Sequence, residues 1–450
     1  MRPDVAEKLA RMDPDEQALL RPMVETSRGY YILLFLFATT VAWGLYAYSL
    51  QVRFGLGTTG LNRPSYWGIY IIDFVFFIGI SHAGTLISAI LRVSQAEWRR
   101  AITRSAELIT VIVIGFGAIQ PVLDLGRPDR LFAIILHPNM RSPLLWDVVS
   151  IGLYFTSCTI YLFVPLLPDL AIIRDSRIKM PWLYRILAMG YQDTPSNRAK
   201  LEKVIGGLSL AVIPIAVSVH TIIGWIFAMT LRPMWHSTIF GPYFVMGAIY
   251  SGIAAILVAM AVIRKAFKLE NYFRDIHFDY LGRMLLLFSC LWFYFTFAEY
   301  LTAFYGGEPG EMRAFWAKVT GAYAIPFWTM VACCFFIPFA IMARKSWRTP
   351  TGTVLASIPV IIGMWLERFN IVVPTSVNPR WEIAGLGQYM PSWVEVSIMT
   401  GTFGGFCLLY MIAIKFVPIV SIWEIKEGRE HSVRETADRV ATYLPDGGSQ

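Results

Sequence analysis

The sequence predicts an all-α integral membrane protein with ten membrane-spanning helices, and three observations predict it. Of 450 residues, 56% are hydrophobic and only 16% are charged, against about 25% charged in an average soluble domain. A globular interior cannot hide that much apolar surface, so lipid must be part of the solvent. Ten apolar runs reach the roughly 20 residues a helix needs to cross a ~30 Å hydrocarbon layer: 30–52, 66–91, 105–123, 144–167, 204–231, 241–263, 284–305, 316–342, 351–373 and 393–417. They are too long and too evenly apolar for barrel strands, and helices satisfy their own backbone groups inside lipid.

In chain order, residues 1–29 form a charged segment that reads as cytoplasmic and not as a signal peptide. The membrane domain covers 30–417. Within it, segment 168–203 contains Pro-Trp-Leu-Tyr-Arg-Ile-Leu from Pro181, expected as a short helix lying along the interface. Segment 374–392 is rich in Pro, Gly and aromatics and is expected to be an ordered docking surface. Residues 418–450 read as a cytoplasmic tail, loose from about 420. A faint repeat relates Gly126-Arg127-Pro128 to Gly307-Glu308-Pro309, with Leu145-Trp146 and Phe315-Trp316 opening the helices that follow. It would make the second to fifth and sixth to ninth runs two related four-helix bundles, with the first and tenth outside.

An even number of spans puts both termini on one side, and basic residues choose the side. Segments on the N-terminal side hold 29 of the 39 Lys and Arg, the opposite loops nine, and Arg368 lies inside a run. That asymmetry places both termini in the cytoplasm. It also explains the net charge of +8 without nucleic acid as a partner; lipid is the expected one.

The third and fourth runs are joined by a polar hairpin, Asp124 to Asp147. Its 24 residues carry three acids, three arginines, one histidine and three prolines. The plain reading is a structured loop, arginines pairing acids and prolines fixing turns. The sharper one is a surface that manages protons or an amphiphilic ligand. Charges inside spans cost about 2.5–3.5 kcal/mol each, so they too are functional candidates. Asp73, Asp124, His137, Asp147, Glu299, Glu367 and Arg368 fall toward the outer face, His82 and His220 nearer the middle, and Glu107 near the inner face. Asp73 and His82 lie nine residues apart, about 180° around a helix, so they point to opposite faces. His82 shares a stripe with Ser81, Thr85 and Ser88, which equally suits helix–helix hydrogen bonding. Glu107 equally suits a helix-start acid facing the dipole, and Glu367-Arg368 an internal ion pair bracing its helix against Glu299 or Asp147. His82 and His220 leave a bis-histidine haem open as an alternative. The five cysteines all sit in apolar runs without metal spacing and read as packing; no metal, haem or iron–sulfur cluster is expected in this chain.

At Asp-Leu-Gly-Arg-Pro-Asp-Arg from Asp124, His137-Pro138-Asn139, and Ser142-Pro-Leu-Leu-Trp-Asp opening a run, the sequence resembles the NrfD-type membrane subunits of polysulfide reductases. Ser218-Val-His-Thr-Ile-Ile-Gly-Trp and Glu367-Arg-Phe-Asn-Ile-Val-Val-Pro-Thr look most like the large membrane subunits of alternative complex III. The resemblance implies a cofactor-free quinol-handling subunit (menaquinol or ubiquinol) of a respiratory oxidoreductase in the bacterial inner membrane. Implied partners are an iron–sulfur subunit on the periplasmic face, a second NrfD-like membrane subunit and haem c subunits. It implies that His137 and Asp147 flank the quinol head, with Arg141 orienting it or steadying Asp147. Asp73 or His82 would carry protons away, and Asp124, Arg127 and Asp129 would hold the hairpin's shape. Proton translocation would run past Glu107, Ser88, Thr85, His82 and His220, with Glu299, Glu367 and Arg368 as further groups. A secondary transporter, suggested by proline-interrupted runs, and a passive anchor for a soluble redox subunit remain the rivals.

The topology has a direct test. A cysteine placed at Arg141 is expected to react with a membrane-impermeant thiol reagent from the periplasmic side and one at Arg185 only after lysis; the reverse pattern overturns the orientation.

Overall fold

The computed structural model describes residues 3–380 and 388–430. The order is α1 (Pro3–Ala10), α2 (Pro14–Val24), α3 (Arg28–Phe54), α4 (Ile69–Val93), α5 (Thr103–Asp124), α6 (Ala133–Leu136), α7 (Pro143–Ser176), α8 (Pro181–Leu187), α9 (Pro195–Ala228), α10 (Phe240–Phe267), α11 (Asp275–Gly306), α12 (Pro309–Val319), α13 (Ala324–Val331), α14 (Ile337–Met342), α15 (Pro350–Val377) and α16 (Trp393–Ala413). Ten stretches are long and apolar enough to cross a membrane: α3, α4, α5, α7, α9, α10, α11, α13 with α14, α15 and α16. No strand occurs among the described residues. Prolines open α7, α8, α9, α12 and α15, where the missing N–H has no intrahelical partner to lose. Ser27, Thr194, Thr349 and Ser392 cap α3, α9, α15 and α16 through their hydroxyls.

The centre is α4. Of its apolar stretch 88% is buried inside the protein, and α5, α9, α10 and α15 pack around it. Helix α7 lies against α5 and α9, and α11 and α13–α14 lie against α10 and α15. The two sets of helices are not separated, because α10 also packs on α4 and α9. Helices α3 and α16 pair outside this core, their backbones touching where a Cβ on Gly44 would stand 2.9 Å from Gly401 Cα. Only 11% of the apolar stretch of α3 is buried, leaving aromatic side chains such as Phe35 and Trp43 exposed toward lipid.

Three expectations need correction. The eighth span starts at Ala324, not at 316: α12 is a separate helix, closed at Gly321, whose N–H bonds Trp316 O at 2.8 Å. Phe315-Trp316 therefore lies well inside α12 and does not open a span as Leu145-Trp146 does, which weakens the repeat. A π-helical turn, Ala332–Phe336, interrupts the eighth span. The tail is not loose from 420. Ile419, Val420, Ile422 and Trp423 are buried, a short apolar cluster that the polar average of the segment conceals. Residues 431–450, and 381–387 of the expected docking segment, lie outside the described residues. The short helix expected at Pro181 is present as α8; Tyr184 is buried and donates to Phe416 O at 2.8 Å, while Trp182 and Ile186 stay exposed.

Glu424 anchors that C-terminal segment. It pairs with Arg92 and with Arg99 (3.4 Å) in the α4–α5 connection, and Arg100 reaches Glu427 at 2.8 Å. Beside them Arg104 and Asp169 pair at 3.0 Å, fully buried, and Asp169 also accepts the N–H groups of Ile422 and Trp423 at 3.1 Å. α2 joins this end: Asp15 meets Arg429 (2.5 Å) and Tyr272 (2.6 Å), and Glu16 meets Lys426 (2.6 Å).

Burial alone would push the Glu424 carboxyl up, but Arg92, Arg99 and Arg104 hold it below the usual glutamate range. A depressed carboxylate stabilises the fold above its unfolded pKa, and that contribution is lost as pH falls through the folded value. Glu424→Gln leaves Arg92 and Arg99 short of a partner and is expected to cost about 3–5 kcal/mol near neutral pH. In thermal unfolding of the detergent-purified protein, the gap from wild type should narrow in acid below about pH 4; a gap independent of pH would contradict the ionic anchor.

Candidate functional site

The hairpin runs from the end of α5 through α6 to the start of α7. Arg127 clamps Asp129 through two bonds of 3.2 and 2.8 Å, fully in solvent. Asn139 Oδ1 accepts the Arg141 N–H at 3.1 Å, and Trp146 Nε1 donates to Met140 O at 2.7 Å. His137 and Arg141 are exposed, as are Phe132, Ile135, Leu136 and Met140 around them. Asp147, by contrast, is 7% exposed, and its Oδ1 is buried with no partner. Two expectations fail here. Among the described residues Arg141 forms no ion pair with Asp147, because it projects into solvent while Asp147 turns into the helix packing. Asp124 does not hold the hairpin either: it ends α5 with Oδ1 buried and unpartnered, and Arg127 is already taken by Asp129.

Several polar groups collect under this end of the bundle. Asp73 is fully buried; Trp365 Nε1 of α15 donates to Oδ1 at 2.8 Å, and Oδ2 has no partner. Gln120 is also fully buried with neither amide atom bonded. Beside them, Tyr70 donates to Gln51 Oε1 at 2.5 Å, and Tyr389 to Glu395 Oε1 at 2.7 Å.

Deeper in, His82 and His220 meet. Their ring centroids are 3.7 Å apart, and Tyr154 covers His82 at 4.6 Å. His82 Nε2 faces Ala216 O at 2.7 Å and Nδ1 faces Ile78 O at 3.1 Å, while neither nitrogen of His220 has a partner. The rings touch, so the pair as arranged leaves no gap for a porphyrin. Asp73 and His82 face different neighbours, α15 and α9, as the nine-residue spacing requires. Arg368 enters this interior from α15. Its guanidinium passes Gly79 of α4 and Gly247 of α10, where a Cβ would stand 3.4 and 3.1 Å from its Nη2. Arg368 pairs with Glu367, and Trp292 Nε1 of α11 donates to Glu367 at 2.5 Å. The pair thus braces α15 against α11 through Trp292, not through Glu299 or Asp147.

Toward the opposite end, Ser88 donates to Glu107 Oε1 at 2.7 Å, Tyr161 lies 3.3 Å from Ser88, and Ser209 lies 3.2 Å from Tyr161. Glu107 is therefore held by side chains of α4 and is buried. Thr85 is buried on the same face as Ser88. In the C-terminal half, Ser237 donates to Glu299 at 2.7 Å. Lys318 of α12 lies near by, only 3% exposed; burial pushes its ammonium down to about 8, with Glu299 opposing.

Sequence reasoning missed Trp292, Trp365, Tyr154, Tyr161 and Lys318. The first four had a readable signal: an aromatic with a polar tip, placed inside a lipid-bound bundle, has to find an acceptor. Lys318 had one as well, a charge inside the expected run 316–342, but it was set aside by being counted with the basic residues of the outer loops.

Ten apolar helices long enough to cross a membrane, with carboxylates and histidines buried between them, define a multi-pass integral membrane protein. The chain belongs to the family described as polysulphide reductase, NrfD, which matches residues 57–379. It is 27% identical over 468 positions to a Halobacterium salinarum protein named provisionally as a dimethyl sulfoxide reductase membrane subunit, covering 98% of this chain and 100% of that one. It is 26% identical to a selenate reductase subunit of Mesobacillus selenatarsenatis (82% and 90% covered). To the Hdr-like menaquinol oxidoreductase integral membrane subunit of Archaeoglobus fulgidus it is 22% identical (88% and 95%).

Proposed function

We propose that this chain is the quinol-oxidising membrane subunit of a multi-subunit oxidoreductase of the alternative complex III type. It would sit in a bacterial inner membrane with both termini cytoplasmic and the hairpin periplasmic. One observation carries the reading: Asp73, Gln120, Asp124 and Asp147 all leave buried polar atoms unbonded at the hairpin end. Buried polar atoms in native proteins are nearly always bonded, so a cluster of orphans favours a place kept for a polar guest. Quinol brings two hydroxyls. The relative named as a menaquinol oxidoreductase subunit supports the same substrate class.

Oxidation of one quinol releases two protons and two electrons. The exposed His137 imidazole and the buried Asp147 carboxylate offer two proton acceptors of different character, and Arg141 is free to orient the head group from solvent. Apolar side chains around the hairpin suit the isoprenoid tail. Electrons leave to an iron–sulfur partner seated on the hairpin and onward to haem c subunits, and a second NrfD-like subunit shares the membrane. Protons pass to Asp73 or His82. The further path uses Glu107, Ser88, Thr85 and His220, with Glu299, Glu367 and Arg368. His82 bears on it: its two ring nitrogens face Ile78 O at 3.1 Å and Ala216 O at 2.7 Å, and a neutral imidazole donates to only one of them.

His137→Ala and Asp147→Asn, made singly, are expected to lower quinol oxidation by about 100-fold or more while the complex still assembles. Unchanged turnover would leave this chain a passive anchor. In proteoliposomes, Glu107→Gln and His82→Ala should reduce the proton-to-electron ratio; an intact ratio removes the path.

A further inference from the structure

The half of the bundle formed late in the chain encloses a chamber that the hairpin site does not use. Met234, Tyr243, Glu299, Lys318, Glu367 and Asn370 are among its walls. It leaves about 20 Å³ for water centres, and a single water needs roughly 10–15 Å³. Its polar groups are poorly served by protein. Lys318 has three N–H donors to place, yet among the described residues its Nζ finds Met234 Sδ at 3.8 Å and the face of Tyr300, whose centroid is 5.7 Å away, and no oxygen acceptor. Asn370 donates its amide to Leu366 O at 2.9 Å, while its Oδ1 is buried without a partner. In a chamber walled mostly by apolar side chains, an ammonium and a buried amide oxygen without a partner are the groups a water would serve.

We propose that this chamber is a hydrated proton-exchange site, in which an ordered water accepts from Lys318 and donates to Glu299 and to Asn370 Oδ1. Three bonds are the usual complement of a buried water. Exchange moves one proton from Lys318 Nζ through the water to the Glu299 carboxylate. It leaves an amine and a carboxylic acid, and no electron moves. The titratable groups around it are Tyr243 from α10, Glu299 and Tyr300 from α11 and Glu367 from α15, with Arg368 behind Glu367. The inference extends the proton-path part of the proposed function to a residue on α12 and is independent of where quinol binds.

The test uses the purified complex and needs no turnover. High-resolution density is expected to show a water between Lys318, Glu299 and Asn370. Infrared spectra should contain a carboxyl band that shifts in D2O, disappears in Glu299→Gln and changes frequency in Lys318→Met. Asn370→Leu fills the void and removes one acceptor; it should expel the water and move the same band, and it decides the matter if Lys318→Met does not assemble. A dry chamber in the wild type, or a band unmoved by both Lys318→Met and Asn370→Leu, overturns the proposal. Failure of the quinol reading appears elsewhere, in turnover of the His137 and Asp147 variants.

Discussion

Every polar side chain on α4 except Arg92 in its last turn is buried, and the packing of the bundle follows from that constraint. Lipid offers no hydrogen bonds, so Asp73, His82 and Ser88 must be answered by neighbouring helices, while the Ser81 hydroxyl turns back to Ile78 O of its own helix at 2.6 Å. Each answer fixes a neighbour: Trp365 of α15 for Asp73, the Ala216 carbonyl of α9 for His82, Glu107 of α5 for Ser88. The α4 backbone is used as well, since Ser81 O accepts from Thr110 of α5 at 2.8 Å and Tyr154 of α7 at 3.3 Å. Apolar burial holds such helices together without choosing their rotation. These bonds choose it.

The two ends of the bundle meet the cost of buried charge differently. At the terminal end, Arg92, Arg99 and Arg104 are balanced by Glu424 and Asp169. At the hairpin end, Asp73, Asp124 and Asp147 have no ion pair among the described residues. Breaking a paired set is expensive, so the terminal end is built to stay in one state. Acids without cations lose no ion pair when they take up a proton.

The spans were legible because each needs only length and low charge, properties carried by every residue in it. Boundaries near α12 were not, since Phe315 to Val319 is apolar enough to fuse with the next span and only the turn at Gly321 divides them. The buried C-terminal segment was hidden for the opposite reason: four apolar residues vanish in a polar average, and Asp169, which accepts the N–H groups of Ile422 and Trp423, lies 253 and 254 residues earlier. For the site, the nine-residue spacing of Asp73 and His82 gave their divergence correctly, because helix geometry is local. The roles given to Asp124 and Arg141 could not be read in this way. A short hairpin offers several acid–base pairings at similar separation, and which one forms depends on the angle at which α5 and α7 deliver their ends.

That same angle bears on what the chain is able to do alone. Asp147 is turned inward, whereas His137 and Arg141 stand in solvent among exposed Phe132, Ile135, Leu136 and Met140. An apolar rim of this kind marks an interaction surface. A proton acceptor such as His137 works best where solvent is excluded and its partner is held at fixed distance. In the free chain neither condition holds on the outer side of the hairpin, and both would be met once a partner closed over the rim. The proposed site is therefore half a site. On the function proposed above, its buried floor would belong to this chain and its roof to the partner, so electron acceptor and proton acceptors would face the substrate from opposite sides.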